Sequence, residues 1–247
     1  MQRIIKIGVI VPSSNTALEP LTHAIISSIE SDAFAISVHF SRFRVTKIDL
    51  SQTSNAQFQI EAIVSAARLL ADANVDVIGW SGTSAGWLGF EFDERLCAAI
   101  ETEVGIKATT STLALNQLVQ KLGVQSLGLV TPYIRQINDI IRSNYANIGV
   151  DISPLRERHL NITDNNKIVQ LNEQTLDQAV QEVVEGGAKI LTTFCTNMRA
   201  AQRVGKWEDE LGIIVLDTVS TVVWSMLKIV GVDTSLVKGW GSMFEVK

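Results

Sequence analysis

Cys195 is the residue whose neighbours best prepare it to do chemistry. Residues 188–194 predict a buried strand and the residues from Met198 on predict a helix, so Cys195, Thr196 and Asn197 would occupy the turn between them. In an open α/β sheet such a turn lies at the carboxyl edge, where ligands bind. The backbone N–H groups and dipole of the following helix would favour a reactive thiolate there. The alternative is that Cys195 is simply a small buried hydrophobe, because free cysteines commonly are.

Small and polar residues follow other predicted strands as well, and few of them carry a charge. They are Pro12, Ser13, Ser14 and Asn15, then Gly82, Thr83 and Ser84, then Thr131 and Tyr133, and lastly Asp217 and Thr218. Neutral hydroxyls, amides and backbone N–H groups suit a carboxylate, and suit still better an enediolate in which that carboxylate gains charge. Each Ser, Thr or Asn could instead be a helix N-cap. Their coincidence at equivalent strand ends favours a binding site.

Hydrophobic patterning predicts alternating strands and helices. Continuous apolar runs predict strands at 4–11, 35–40, 75–80 and 106–109, and amphipathic runs predict helices from about 17 to 29, at 55–71, at 93–103 and at 112–122. The polar segment 44–53 predicts a loop over the edge of the sheet. Such alternation is typical of an α/β protein with parallel sheets.

The second half of the chain repeats the first. Residues 7–13 match 127–133, residues 77–84 match 190–197, and residues 105–111 match 212–218. Three matches in the same order predict two pseudo-symmetric, Rossmann-like α/β lobes, the first formed by 1–115 plus 218–247 and the second by 116–217. Equivalent strand ends would face each other across an interlobe cleft, where small ligands bind. Cys195 would then look across at Gly82.

Composition narrows the classes of partner. With 247 residues, 46% apolar residues and a net charge of −5, the chain can form a sizeable core and is not expected to bind nucleic acid. It has no apolar run long enough to cross a bilayer and no signal peptide, so a soluble, cytoplasmic protein without membrane contact is expected. A homo-oligomer is compatible with the sequence, which does not fix the oligomeric state.

No cofactor or metal is expected. The chain has no GxGxxG motif after its first strand, no Walker A lysine and no acidic cluster, and its two cysteines lack metal-ligand spacing. Cys97 falls inside a predicted helix and is expected to pack in the core. His23, His39 and His159 lie away from the predicted cleft and are expected to be structural or surface residues.

Four motifs together resemble the aspartate/glutamate racemase superfamily, and within it the branch of maleate cis-trans isomerase and arylmalonate decarboxylase. They are residues 12–15 (PSSN), 82–84 (GTS), 131–133 (TPY) and 195–197 (CTN). The resemblance implies a cofactor-independent site between two lobes. It also implies one cysteine from each lobe in the racemases and the isomerase. Here the second is Cys195, whereas the first position holds Gly82, and Cys97 lies too far along the chain to replace it.

Arylmalonate decarboxylase resembles this chain at that point, since it too has Gly-Thr-Ser and a single cysteine. The resemblance implies that Cys195 protonates an enediolate formed by loss of CO2 from a malonate-type diacid, with or without an aryl substituent. Thr83, Ser84 and Tyr133 would hold the enediolate, with the backbone N–H of Thr196 nearby. A proton donor must stay protonated, which calls for an apolar lining; the candidates are Trp80, Trp87, Leu88 and Phe194.

Two alternatives remain open from the sequence. Ser13, Ser14 and Asn15, like Thr196 and Asn197, resemble the maleate isomerase branch, and Asn15 and Asn197 could bind a second carboxylate of a small dicarboxylate. This favours an isomerase or racemase that works with one cysteine. The other alternative is a non-catalytic carboxylate binder that kept the cleft and lost the chemistry.

Overall fold

Two four-stranded parallel β-sheets form the framework of the protein, as the sequence predicts. The computed structural model describes residues 3–247. The strands are β1 (Arg3–Pro12), β2 (Phe34–Phe43), β3 (Val77–Trp80), β4 (Ala108–Thr110), β5 (Gly128–Thr131), β6 (Glu157–His159), β7 (Ile190–Thr193) and β8 (Ile214–Asp217). The first sheet has the order β2-β1-β3-β4 and the second the order β6-β5-β7-β8. The identical order confirms the internal repeat.

Eleven α-helices occur in the described residues, and helices pack against both sheets. They are α1 (Leu18–Ser27), α2 (Gln52–Asn55), α3 (Ile60–Asp72), α4 (Ala85–Leu88), α5 (Phe90–Val104), α6 (Ser111–Lys121), α7 (Arg135–Asn147), α8 (Asn165–Ile168), α9 (Glu173–Glu185), α10 (Val204–Leu211) and α11 (Thr218–Ile229). The helix N-caps follow the same repeat. Thr110 and Asp217 occupy matching positions in the two halves of the chain, and each is the N-cap of the helix that follows it. None of the helices in the described part of the chain is long and apolar enough to cross a membrane.

The strand order creates a crevice in each sheet. Since β1 lies between β2 and β3, the chain leaves β1 towards one side and later returns on the other. In such sheets the carboxyl ends of the two strands at this switch point splay apart and bind ligands. The same holds for β5 and β7. All four predicted motifs follow these four strands, so the topology itself brings them to the switch points.

The lobes are joined through two helices. Helix α6 is continuous across residue 115, where the sequence-based division of the chain was placed, and that division stays a prediction. Helix α11 follows the second sheet but packs against the first. A Cβ at Gly79 of β3 would lie 2.5 Å from Sδ of Met226 and 2.8 Å from Val222, so glycine allows this close approach.

Two predicted helices begin at other places. The helix predicted from Met198 is wrong: a 3₁₀ turn spans Ala201–Arg203 and α10 begins at Val204. The Asn197 side chain binds Thr16 N and Asn165 O, which ties the preceding loop to other segments instead of to a helix. The helix predicted at 55–71 is interrupted because Gln59 is extended, and α3 begins at Ile60.

Candidate active site

A narrow pocket lined by buried residues, referred to below as the cavity, lies between the carboxyl ends of the two sheets. Every residue lining it is buried. The lining residues are Pro12, Asn15, Val45, Ile48, Phe58, Trp80, Gly82, Thr83, Ser84, Trp87, Tyr133, Asn165, Cys195, Thr196 and Asn197. The cavity thus contains nine of the fourteen strand-end positions singled out from the sequence; the other five are Ser13, Ser14, Thr131, Asp217 and Thr218.

Cys195 follows β7 and is 3% exposed. Burial raises the pKa of its thiol to about 11, and the nearby carboxylate of Asp217 acts in the same direction. Hydrogen bonds from the Tyr133 hydroxyl and from the backbone N–H groups of Asn197 and Met198 oppose that rise in pKa without cancelling it. The next α-helix along the chain, α10, begins only at Val204, so the thiol does not lie at its N-terminus. At neutral pH the group is therefore a protonated thiol, suited to giving up a proton.

Hydroxyl groups cluster beside the thiol. Thr83 Oγ1 and Tyr133 Oη are 2.7 Å apart, and the tyrosine hydroxyl also contacts Cys195. Burial raises the pKa of Tyr133 well above its ordinary value, so the phenol is a neutral donor. Ser84 Oγ is buried with no hydrogen-bond partner among the described residues. These groups line one cavity and can all donate to an anionic oxygen placed there.

The amides of Asn15 and Asn197 are engaged with other protein groups. Asn15 Nδ2 donates to Thr196 Oγ1 at 3.1 Å, and its Oδ1 accepts from the backbone at the start of α1. Asn197 Nδ2 donates to the main-chain and side-chain oxygens of Asn165, and its Oδ1 accepts from Thr16 N. Both side chains therefore join the lobes in this conformation. Their role in binding a second carboxylate stays a prediction.

The two predicted serines outside the cavity hold a neighbouring segment. Ser13 Oγ donates to Val45 O and accepts from Val45 N, and Ser14 Oγ donates to the same carbonyl at 2.5 Å. Asn165 Nδ2 in turn donates to Ser14 Oγ. Ser13 and Ser14 therefore position the backbone at Val45, whose side chain lines the cavity.

Sequence reasoning missed the cover of the cavity. Val45, Ile48 and Phe58 come from the segment between β2 and α3. The sequence predicted residues 44–53 as a loop over the sheet edge and placed Phe58 in the helix predicted at 55–71, whereas Phe58 ends a 3₁₀ turn. Ile48 N donates to Thr163 O of the second lobe at 3.1 Å, so the segment reaches across the cleft. The available signal was the presence of isolated large apolar residues in an otherwise polar stretch. In this conformation the segment therefore forms part of the wall of the cavity.

Aromatic rings form much of the remaining wall. Trp87 meets Phe58 and Tyr133 edge to face, with ring centroids 5.8 and 5.3 Å apart. Of the four apolar residues expected near the thiol, Trp80 and Trp87 line the cavity. The other two, Leu88 and Phe194, do not. Phe194 instead packs against Gly86 and Tyr145 in the core.

Gly82 lines the cavity, and the Trp80 ring lies directly against it. A Cβ built at Gly82 would be 2.1 Å from Cζ2 of Trp80, far inside a van der Waals contact. The position at which the resemblance implies a first-lobe cysteine thus has no free space for a side chain. Cys97 lies in α5, away from the cavity, and burial raises the pKa of its thiol to about 12.

The remaining sequence candidates have structural partners. Thr131 Oγ1 donates to Asn138 Oδ1, and Asp217 caps α11 while accepting from Thr193 Oγ1 at 2.7 Å. Thr218 Oγ1 donates to Thr193 O. No histidine among the described residues lines the cavity. The chemistry available there comes from one thiol, four hydroxyl-bearing side chains at 83, 84, 133 and 196, and the amide side chains at 15, 165 and 197.

Known proteins share this architecture. The chain is 26% identical to a maleate isomerase of Geobacillus stearothermophilus over 95% of both chains. It is also 26% identical to the arylmalonate decarboxylase of Bordetella bronchiseptica, over 75% of this chain and 78% of that one. Among solved structures, a cysteine-to-serine variant of the maleate cis-trans isomerase of Nocardia farcinica, with a covalently bound succinylcysteine intermediate, superposes with a TM-score of 0.87. It has 24% identity over 98% of each chain. Residues 7–244 match the family model of arylmalonate decarboxylase. The chain belongs to the arylmalonate decarboxylase family, whose relatives named here are enzymes.

Proposed function

We propose that this protein is a cofactor-independent decarboxylase of a malonate-type diacid. The observation that carries the proposal is a single buried thiol, Cys195, whose pKa is raised to about 11. A group held protonated in this way can deliver a proton to carbon, but it is a poor nucleophile at neutral pH. Decarboxylation of a malonate needs one proton donor and a place to hold negative charge.

The proposed reaction balances with the groups present. The bond between the α-carbon and one carboxylate breaks, CO2 leaves, and the electron pair delocalises into the retained carboxylate as an enediolate. The thiol of Cys195 then protonates the α-carbon and becomes a thiolate, which regains a proton from solvent. The net change is one diacid and one proton converted into a monoacid and CO2.

The enediolate would be held by the hydroxyl cluster. Thr83, Ser84 and Tyr133 supply neutral donors in a buried site, where hydrogen bonds to a developing charge are strongest. One such donor typically contributes about 2.7 to 4 kcal/mol to the stability of a transition state. The cluster requires no metal or bound cofactor for this step.

The glycine at position 82, where the resemblance implies the first of two cysteines, separates this reaction from two-cysteine isomerisation. The succinylcysteine of the Nocardia farcinica variant is present although one cysteine has been changed to serine, so that protein carries its adduct on a different cysteine. Cys195 is the only cysteine that lines the cavity here. A covalent adduct and a proton transfer on the opposite face cannot both use that one thiol.

The second candidate is a maleate isomerase that works with a single cysteine. Maleate isomerases are the more numerous of the matched curated relatives, at 23–26% identity. The polar motifs at 12–15 and 195–197 also resemble that branch. Against it, the side chains of Asn15 and Asn197 are already hydrogen-bonded within the protein.

Product analysis separates the candidates. Malonate, methylmalonate, phenylmalonate and maleate are each incubated with the protein, and CO2, monoacid and fumarate are measured. We expect CO2 and monoacid from at least one malonate, a loss of that activity in Cys195→Ser, and full activity in Cys97→Ser as the matched control. Fumarate from maleate, with no CO2 from any malonate, would support the isomerase instead. Binding of a malonate without any turnover would indicate a carboxylate binder.

A further inference from the structure

The Trp80 indole fills the space in which a side chain at position 82 would lie. A Cβ at Gly82 would be 2.1 Å from Cζ2, 2.4 Å from Cε2 and 2.6 Å from Cη2 of that ring. Real Cβ atoms do not approach ring carbons so closely, so the ring and a side chain at 82 exclude each other. The ring has little freedom to withdraw. Trp80 is 1% exposed and its ring packs on Phe43 with centroids 5.0 Å apart.

The indole N–H groups of the cavity lack acceptors. Trp80 Nε1 and Trp87 Nε1 are both buried without a hydrogen-bond partner among the described residues. The two other buried tryptophans are satisfied, since Trp207 donates to Asp177 at 2.7 Å and Trp224 donates to Val246 O at 3.2 Å. Among the four buried tryptophans of residues 3–247, the two that line the cavity are the ones whose N–H groups are unpaired.

Buried groups elsewhere, such as Tyr145 Oη, are also unpaired, but these two N–H groups belong to residues that line a cavity, where a ligand can supply the acceptors. A buried N–H group without an acceptor is unfavourable, and native proteins leave few of them. The hydroxyl of Ser84, on the same cavity wall, is unpaired too. Three unpaired donors around one cavity are satisfied together if oxygen atoms of a bound anion occupy it.

We propose that Trp80 is the specificity-determining residue of this site. Its ring takes the volume of the first-lobe cysteine, which leaves no room for an aryl group on that wall, and its N–H together with that of Trp87 binds the second carboxylate of the substrate. The substrate class is then a malonate with hydrogen or a small alkyl group on its α-carbon. The substrate assignment rests on the proposed function, whereas the exclusion of a side chain at 82 does not.

A double-mutant cycle of thermal stability, which requires no enzymatic activity, tests whether the Trp80 ring and a side chain at position 82 exclude each other. Melting temperatures are measured by circular dichroism for the parent, Gly82→Cys, Trp80→Ala and the double variant. We expect Gly82→Cys to lower the melting temperature in the parent and to have a much smaller effect in the Trp80→Ala protein, because the residues are in direct contact. If Trp80→Ala does not fold, Trp80→Leu takes its place. An equal loss in both backgrounds would overturn the exclusion.

The ligand role is tested by calorimetric binding in the Cys195→Ser protein, which removes the proton donor. We expect methylmalonate to bind, and phenylmalonate to bind at least about tenfold more weakly. Trp80→Phe should lower the affinity for methylmalonate by about tenfold or more, because the variant lacks the N–H group that donates to the carboxylate. Trp207→Phe, outside the cavity, is the matched control and should leave the affinity unchanged. Absence of methylmalonate binding, equal binding of phenylmalonate, or an unchanged affinity in Trp80→Phe would each overturn the role.

The two proposals fail separately. If methylmalonate binds as described but releases no CO2 in the parent protein, the decarboxylase is refuted and the subsite stands. If CO2 is released and Trp80→Phe retains the parent affinity, the subsite is refuted and the decarboxylase stands.

Discussion

Replacing Cys97 by alanine leaves Cys195 as the only thiol of the chain and allows its ionisation to be measured alone. Since one pKa unit corresponds to about 1.4 kcal/mol, a pKa of about 11 favours thiol over thiolate by about 5 kcal/mol at pH 7. The thiolate fraction is then on the order of one in ten thousand. Only the thiolate reacts with iodoacetamide. The alkylation rate should therefore rise about tenfold per pH unit from pH 6 to 9.5, without a plateau.

Two neighbours should move that profile in opposite directions. Tyr133→Phe removes a hydrogen bond that stabilises the thiolate, so the pKa of Cys195 should rise and alkylation should slow at a given pH. Asp217→Asn removes a negative charge that raises the same pKa, so alkylation should become faster above pH 6, where Asp217, with a pKa of about 6, is ionised. A plateau below pH 8, or shifts of the same sign in both variants, would refute the assignment of Cys195 as a protonated donor.

Three further changes test other parts of the structure. Thr83→Val should lower kcat by roughly 100- to 1000-fold in the decarboxylation assay by removing a donor to the enediolate, whereas Thr109→Val, which breaks a buried hydroxyl pair outside the cavity, should not. Burial raises the pKa of Asp93 from 3.8 to about 7, so its contribution to stability is present below pH 3.8 and lost as the pH rises through 7. In urea unfolding, the free energy of unfolding of Asp93→Asn relative to that of the parent should therefore increase by a few kcal/mol as the pH is raised from 4 to 8. Phe58→Ala should speed alkylation of Cys195 at fixed pH by opening the cover, and an unchanged rate would show that another segment controls access.

Much of the fold could be predicted because its signals are local. Residues 7–12 of β1 and all of β3 are buried, and continuous apolar runs record that burial directly. The internal repeat then predicted that β3 and β7 occupy equivalent positions in the two sheets. It therefore also predicted that Gly82 and Cys195, which follow these strands, lie in one cavity. Neither step needed knowledge of side-chain contacts.

The parts that could not be predicted depend on long-range contacts. The run after Asn197 suits a helix by composition, yet Met198, Ala200 and Ala201 are buried in a turn, while Asn197 binds a segment 32 residues away. Tertiary contacts outweigh local propensity there. The raised pKa of Cys195 likewise comes from burial across the whole cavity.

Trp80 illustrates the limit most clearly. A tryptophan at the end of a buried strand predicts core packing, and the residue is indeed buried. Its ring nevertheless lies against Gly82, two residues further along the chain, and fills the space that a side chain at position 82 would occupy. The conformation of a large side chain cannot be predicted from the spacing of residues along the sequence.

The most direct test of the central claim is a single NMR experiment in D2O with methylmalonate and maleate supplied together. We expect methylmalonate to be converted to CO2 and propionate with one deuterium on the α-carbon, maleate to be unchanged, and Cys195→Ser to abolish the reaction. Deuterium-labelled or unlabelled fumarate from maleate, with methylmalonate intact, would contradict it.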